Sequence, residues 1–259
     1  MSELGFTAAE MMTVAAARRL KNGAVCFVGI GLPSTAANLA RLTHAPDVVL
    51  IYESGPIGAK PDVLPLSIGD GNLAATADTV VSTPEIFRYW LQGGRIDVGF
   101  LGAAQMDRFA NINTTVIGPY ARPKVRLPGA GGASEIADLA GEVLIILRHT
   151  PRAFVERLDF VTSAGFLDGG DARARAGLTG RGPTAVITDL CILEPDPACK
   201  ELMVTGIHPG ITREQIVEAT AWPIRFAAAA AATEPPSEEV LEVLRELQAR
   251  TRRAHGEAA

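Results

Sequence analysis

Short apolar runs, each followed by a turn and then by helix-forming sequence, constrain this chain more than any other feature. Residues 24–29 (AVCFVG), 47–52 (DVVLIY), 96–101 (IDVGFL), 143–147 (VLIIL) and 184–188 (TAVIT) are continuous enough to be strands buried on both faces. Residues 159–162 and 202–206 read as further strands. Helical signals lie between them. Thr7 and Glu10 have capping-box spacing, and Met11, Val14, Ala15 and Leu20 then form an apolar stripe that Asn22-Gly23 ends. Pro33 suits the first turn of a helix running to about Leu42, and residues 84–91 look helical. Val240, Leu241, Leu244 and Leu247 line one face of a last helix over about 237–254, while residues 227–232 read as an alanine-rich linker or helix piece. Strands alternating with helices imply an α/β fold, a single open, mostly parallel sheet with helices on both faces. No internal repeat or linker stands out, so one domain over residues 1–259 is expected.

Charge and cysteine usage narrow the function. With 24 basic and 29 acidic side chains the formal charge is −5, and no basic run precedes Arg252-Arg253, so neither a nucleic acid nor a membrane surface is an expected partner. Cys26, Cys191 and Cys199 form no CxxC pair and His44, His149, His208 and His255 are scattered, which reads as reduced thiols in a cytoplasmic protein without a metal site. No basic n-region opens the sequence and no run reaches 18 apolar residues, so a signal peptide and a membrane span are not expected.

Four segments could carry chemistry. Gly29-Ile30-Gly31-Leu32-Pro33-Ser34 joins a strand to a helix and invites a dinucleotide reading, but Ser34 replaces the third glycine and Pro33 removes an N–H. A helix start able to face an anion remains. Glu53, in Tyr52-Glu53-Ser54-Gly55, stands at the carboxyl end of a strand, where α/β proteins place reactive groups. A carboxylate there could attack a thioester to give a mixed anhydride, or simply be a turn acid. Gly129-Ala130-Gly131-Gly132 could expose consecutive N–H groups as a nest for an oxyanion, or be a flexible turn. Gln105 follows another strand and could bind a carbonyl or carboxylate, whereas Asn111 and Asn113 read as turn formers. Arg122, Lys124 and Arg126 form a small basic stripe, and His208-Pro209-Gly210 a turn. The stretch 107–132 lacks periodicity, and irregular stretches of that length are more often functional than idle.

Taken in order, GIGLP at 29–33, YESG at 52–55, GAAQMDRFANINTT at 102–115, PGAGGA at 128–133, DFVTSAGFLDGG at 159–170 and TAVITD at 184–189 resemble the β subunit of glutaconate CoA-transferase, a class I CoA-transferase. The resemblance covers residues 7–220. It implies a nucleophilic Glu53 that carries first the acyl group and then CoA as a glutamyl-CoA thioester. It also implies oxyanion and CoA-binding donors at Gly129, Ala130, Gly131 and Gly132, with Gly31, Ser54 and Gln105 lining the substrate. The implied reaction moves CoA between an acyl-CoA and a carboxylic acid, with dicarboxylic acids among the candidates. It needs an α subunit in a hetero-oligomer and no metal or redox cofactor, the CoA thioester being the substrate. Pro56-Ile57-Gly58 and Leu101-Gly102-Ala103 depart from the glutaconate pattern, which bears on the substrate more than on the reaction. The alternatives are a subunit of a ring-opening CoA-thioester hydrolase on the same scaffold, a nicotinamide-dependent domain, and a scaffold subunit without chemistry of its own.

Overall fold

The computed structural model describes residues 4–256 and gathers them into two compact units, one running through Phe100 and resuming at Pro235, the other spanning Leu101–Glu234.

The first unit contains α1 (Ala8–Ala17), β1 (Val25–Val28), α2 (Leu32–Leu42), β2 (Val49–Ile51), β3 (Pro56–Ile57), α3 (Gly71–Ala75), β4 (Thr79–Val80), α4 (Thr83–Glu85) and most of β5 (Val98–Gly102). Its strands lie in the order β5-β1-β2-β3-β4. β1 pairs in parallel with β2 and β5, Phe27 facing Ile51 on one side and Gly99 on the other, and β3 and β4 add antiparallel edges. The capping box forms as expected: Glu10 N–H donates to Thr7 Oγ1 at 3.1 Å, and Thr7 N–H donates to the Glu10 carboxylate at 2.7 Å. Residues 10–17 of α1 are all buried, so this stretch has no solvent face and Glu10 needs a charge partner. Arg245 supplies it from the C-terminal helix (Glu238–His255), with Nε 2.6 Å from Oε1, and this guanidinium holds the Glu10 carboxyl below the usual carboxylate range. The helix expected over 84–91 instead takes one α-turn and widens into a π-helix over Ile86–Leu91, with Gln92 N–H reaching Phe87 O.

The second unit holds two short hairpins, β6 (Gln105–Met106) with β7 (Ile112–Asn113) and β8 (Val116–Ile117) with β9 (Val125–Arg126). They are followed by α5 (Ala133–Leu139), β10 (Glu142–Ile146), α6 (Ala172–Arg175), β11 (Pro183–Ile187), β12 (Cys191–Pro195), β13 (Leu202–Ile207), α7 (Arg213–Glu218) and β14 (Arg225–Ala232). The order is β14-β13-β12-β11-β10, with parallel pairs at both ends and antiparallel pairing around β12. The open α/β sheet class expected from the sequence is found: β1, β2, β5, β10, β11, β13 and β14 all take part in parallel pairs.

Two expectations are corrected. Residues 159–162 form no strand. Asp159 caps the N–H of Gly118, Thr162 Oγ1 accepts from Thr114 N–H, and the following Ser163 makes only an isolated bridge to Ile112. Residues 227–232 are neither linker nor helix but the end of strand β14, where Ala231 and Ala232 pair with Gly206 and Ile207. Alanine is the best intrinsic helix former, but propensity is a weak determinant and pairing to a neighbouring strand overrides it. No motif marks Arg173, yet it is buried and donates to the carbonyls of Gly180, Ala164, Gly165, Ala137 and Asp138. One guanidinium thereby ties α6 to the last turn of α5 and to irregular segments at 164–165 and 180 that have no ladder of their own.

Candidate active site

Glu53 sits at the corner of a tight reversal between β2 and β3. Gly55 N–H donates to Tyr52 O at 3.0 Å and Tyr52 N–H donates to Pro56 O at 3.1 Å, which puts Glu53 and Ser54 at the two central positions of the turn. Both are half-buried, between the buried Tyr52 and the buried Gly55. Gly55 is required twice over: its φ is +120°, and a Cβ there would run into the Val81 carbonyl. The two-residue corner that carries Glu53 is thereby held from both sides.

Gly31, the N-cap of α2, has φ +82° and ψ −127°, a conformation open only to glycine, and a Cβ there would meet nothing within 4 Å. Backbone angle, not crowding, therefore fixes this residue. Its carbonyl accepts from Thr35 N–H at 3.0 Å and from Thr35 Oγ1 at 3.1 Å. The start of α2 is tied to the end of β2 through Ser34 and Tyr52, which lie in the motif segments, and Asn38, which does not. Ser34 Oγ lies 3.1 Å from the Tyr52 hydroxyl, and Asn38 Nδ2 donates to Ser34 O at 2.9 Å. Burial pushes the Tyr52 phenol up, against the opposing effect of its hydrogen bonds to Ser34 and Asn38. Ser34 and Asn38 stand at i and i+4 on one helix face, a spacing that marks a shared partner in retrospect.

In the second unit Gln105 is buried in β6, and its Oε1 accepts from Asn113 Nδ2 at 2.8 Å, leaving its –NH2 as the group it could offer a ligand. Asn113 is the turn former expected, its Oδ1 accepting from Thr115 and Val116 N–H. Asn111 does more. Its side chain bonds Asp107 Oδ2 and Leu167 O as donor, and Gly165 and Leu167 N–H as acceptor, stapling the 107–113 hairpin to residues 165–167. The glycine loop is anchored at its first residue: Gly129 N–H donates to Thr114 O at 2.8 Å and Thr114 Oγ1 donates to Gly129 O at 2.8 Å. Gly129 and Gly131 have φ of +106° and +49°. Ala130 and Gly131 are exposed, and their N–H groups donate to no other described residue, so two consecutive backbone donors face outward from a fixed base. Gly132 is buried and caps α5.

A second constellation has the residue types of a nucleophilic site. Cys191 Sγ lies 3.5 Å from His149 Nδ1, and His149 Nε2 lies 2.9 Å from Thr220 Oγ1. The imidazole stacks on Phe154 with centroids 3.7 Å apart. Burial drives the Cys191 thiol up to about 12 and the His149 imidazole down to about 3, so thiolate and imidazolium are both suppressed near neutral pH. His208 is also structural, lying between Thr233 Oγ1 and the Thr188 carbonyl.

Comparison with known proteins assigns this architecture. A family model described as coenzyme A transferase matches residues 9–219. The chain is 72% identical over 248 residues to the β-type subunit of 3-oxoadipate CoA-transferase from Pseudomonas knackmussii, covering 96% of this chain and 95% of the relative. It is 36% identical over 247 residues to the corresponding subunit of glutaconate CoA-transferase from Acidaminococcus fermentans, covering 93% and 92% respectively. The crystal structure of glutaconate coenzyme A-transferase from Acidaminococcus fermentans superposes with a TM-score of 0.86 at 35% identity, over 94% of this chain and 95% of that one. The chain belongs to the coenzyme A transferase family, as a subunit of its β type.

Proposed function

We propose that this subunit supplies the carboxylate nucleophile of a transferase that moves CoA onto 3-oxoadipate or a closely similar dicarboxylic acid, in a hetero-oligomer with an α subunit. The observation that carries the nucleophile assignment is the half-buried Glu53 at the corner of a turn locked by Tyr52, Gly55 and Pro56. The acid follows from the 72% identity to a 3-oxoadipate CoA-transferase subunit. That relative is one of the subunits of its enzyme, which supports a companion subunit here. Among the described residues no helix is long and apolar enough to cross a membrane.

The steps balance with the thioester, two acids and Glu53 alone. A carboxylate oxygen of Glu53 attacks the thioester carbonyl, the C–S bond breaks, and CoA leaves as the thiolate. The thiolate attacks the Glu53 carbonyl of the mixed anhydride and expels the donor acid, leaving a glutamyl-CoA thioester. The acceptor carboxylate then attacks that thioester, and CoA thiolate returns to the acceptor's carbonyl, restoring Glu53. Each attack places negative charge on a carbonyl oxygen. Within the glycine loop of Gly129, Ala130, Gly131 and Gly132, the N–H groups of Ala130 and Gly131 are read as its donors, with Gly129 N–H committed to Thr114 O and anchoring the loop. Gly31, Ser54 and the Gln105 amide are read as substrate-lining groups.

The reading is tested by co-expressing the chain with its α partner and measuring transfer from an acyl-CoA to 3-oxoadipate and to glutaconate. Faster turnover with 3-oxoadipate supports it. Thioester consumption that is indifferent to any acceptor acid would replace it with a hydrolase.

A further inference from the structure

We infer that Tyr52 is a positioning residue for Glu53, held by a buried hydrogen-bond clamp with Ser34 and Asn38 that fixes where the carboxylate stands. The inference rests on the nucleophile reading above and adds the device that presents the nucleophile. Tyr52 and Asn38 are 0% exposed and Ser34 is 1% exposed. A fully buried phenol hydroxyl is costly unless bonded, and phenylalanine would fill the same space without that cost. The hydroxyl is bonded: Ser34 Oγ lies at 3.1 Å and Asn38 Nδ2 at 3.4 Å. Asn38 Oδ1 in turn accepts from Arg41 Nε at 3.3 Å, and Arg41 Nη2 donates to Pro61 O at 3.0 Å. Helix α2 therefore grips the Glu53 hairpin at two points, one residue before the nucleophile and again just beyond β3. The same Tyr52 closes the turn with its backbone, through Gly55 N–H and Pro56 O. A carboxylate that first attacks an acyl carbon and is then attacked by a thiolate must hold one position through both events, and about 1 Å of misplacement can cost on the order of 100-fold in rate.

The test uses the assembled enzyme with its α partner. Tyr52→Phe and Ser34→Ala are compared with wild type and with Thr13→Val, which removes the hydroxyl of another buried residue, bonded to Ala9 O at 2.8 Å in α1. For each, kcat, KM and the rate of CoA adduct formation on the Glu53 peptide are measured. The expected result is a kcat and adduct rate lowered about 10- to 100-fold by Tyr52→Phe and less by Ser34→Ala, with KM changed by no more than about threefold and Thr13→Val like wild type. If wild type forms the adduct but Tyr52→Phe, or Ser34→Ala should Tyr52→Phe not assemble, forms it at the wild-type rate, the clamp has no positioning role. An equal loss in Thr13→Val also overturns the inference, by reducing it to general destabilisation. If wild type forms no Glu53 adduct, the nucleophile reading fails, and the clamp inference fails with it.

Discussion

The Glu53 turn in the first unit and the Cys191–His149 cluster in the second make an instructive pair. By residue type the second has the stronger claim to chemistry, since thiol and imidazole within 3.5 Å of each other form a familiar nucleophile and base. Burial reverses the ranking. Cys191, His149, Thr188 and Thr220 are all enclosed, the thiol is pushed up to about 12 and the imidazole down to about 3, so the pair packs as neutral core. The carboxylate role proposed for Glu53 calls for no partner of the Cys–His kind. That role calls instead for access and a fixed position, and Glu53 is half-buried at a turn corner next to a buried, hydrogen-bonded Tyr52. Presentation, more than chemical type, separates the two.

That contrast can be broken most severely at Glu53. Glu53→Gln keeps the shape and removes the nucleophile, so transfer by the assembled enzyme should fall by about a thousandfold or more; activity within tenfold of wild type would end the contrast. Gly55→Ala should come next. A Cβ at φ +120°, driven against the Val81 carbonyl, must distort the turn, and both melting temperature and kcat should drop, the latter by about tenfold or more. In the other cluster, Cys191→Ala should leave kcat within about twofold while lowering stability by roughly 1–2 kcal/mol through the small cavity, measured by chemical denaturation. Alkylation of the folded protein should label the exposed Cys199 well before Cys26 or Cys191, as read by peptide mapping.

The same burial sets a pH dependence. His149 has a folded-state value of about 3, below the ordinary 6.5, so the unfolded chain takes up its proton first as pH falls. Its contribution to stability is complete above about pH 6.5 and is lost progressively from there to about pH 3. His208, lowered by burial as well, adds in the same direction. Replacing His149 by Gln should flatten the decline in melting temperature between about pH 6.5 and about pH 5. An unchanged slope would show the imidazole to be already protonated in the folded protein.

How much of this was legible in the sequence depends on whether the signal was local. The βαβ order, the Thr7–Glu10 cap and the final helix are written in periodicity and capping residues, and each appears within a few residues of its expected place. Positive φ at Gly31, Gly55 and Gly129 was foreshadowed by glycine itself. Long-range partners were not. Residues 159–162 have strand composition but give their polar groups to Gly118 and Thr114, and the Ala227–Ala232 stretch becomes a strand only because β13 lies beside it. The Arg173 carbonyl cage and the Ser34–Asn38–Tyr52 clamp likewise join segments distant in sequence, and no short window around Arg173 or Tyr52 contains all of its partners.

The central claim, that Glu53 carries CoA, is tested most directly by peptide mass spectrometry on the enzyme assembled with its α subunit and incubated with an acyl-CoA donor. The account predicts a CoA adduct on the peptide containing Glu53, absent in Glu53→Gln and discharged when 3-oxoadipate is added. An unmodified Glu53 peptide from an assembly that transfers CoA at its normal rate would contradict it.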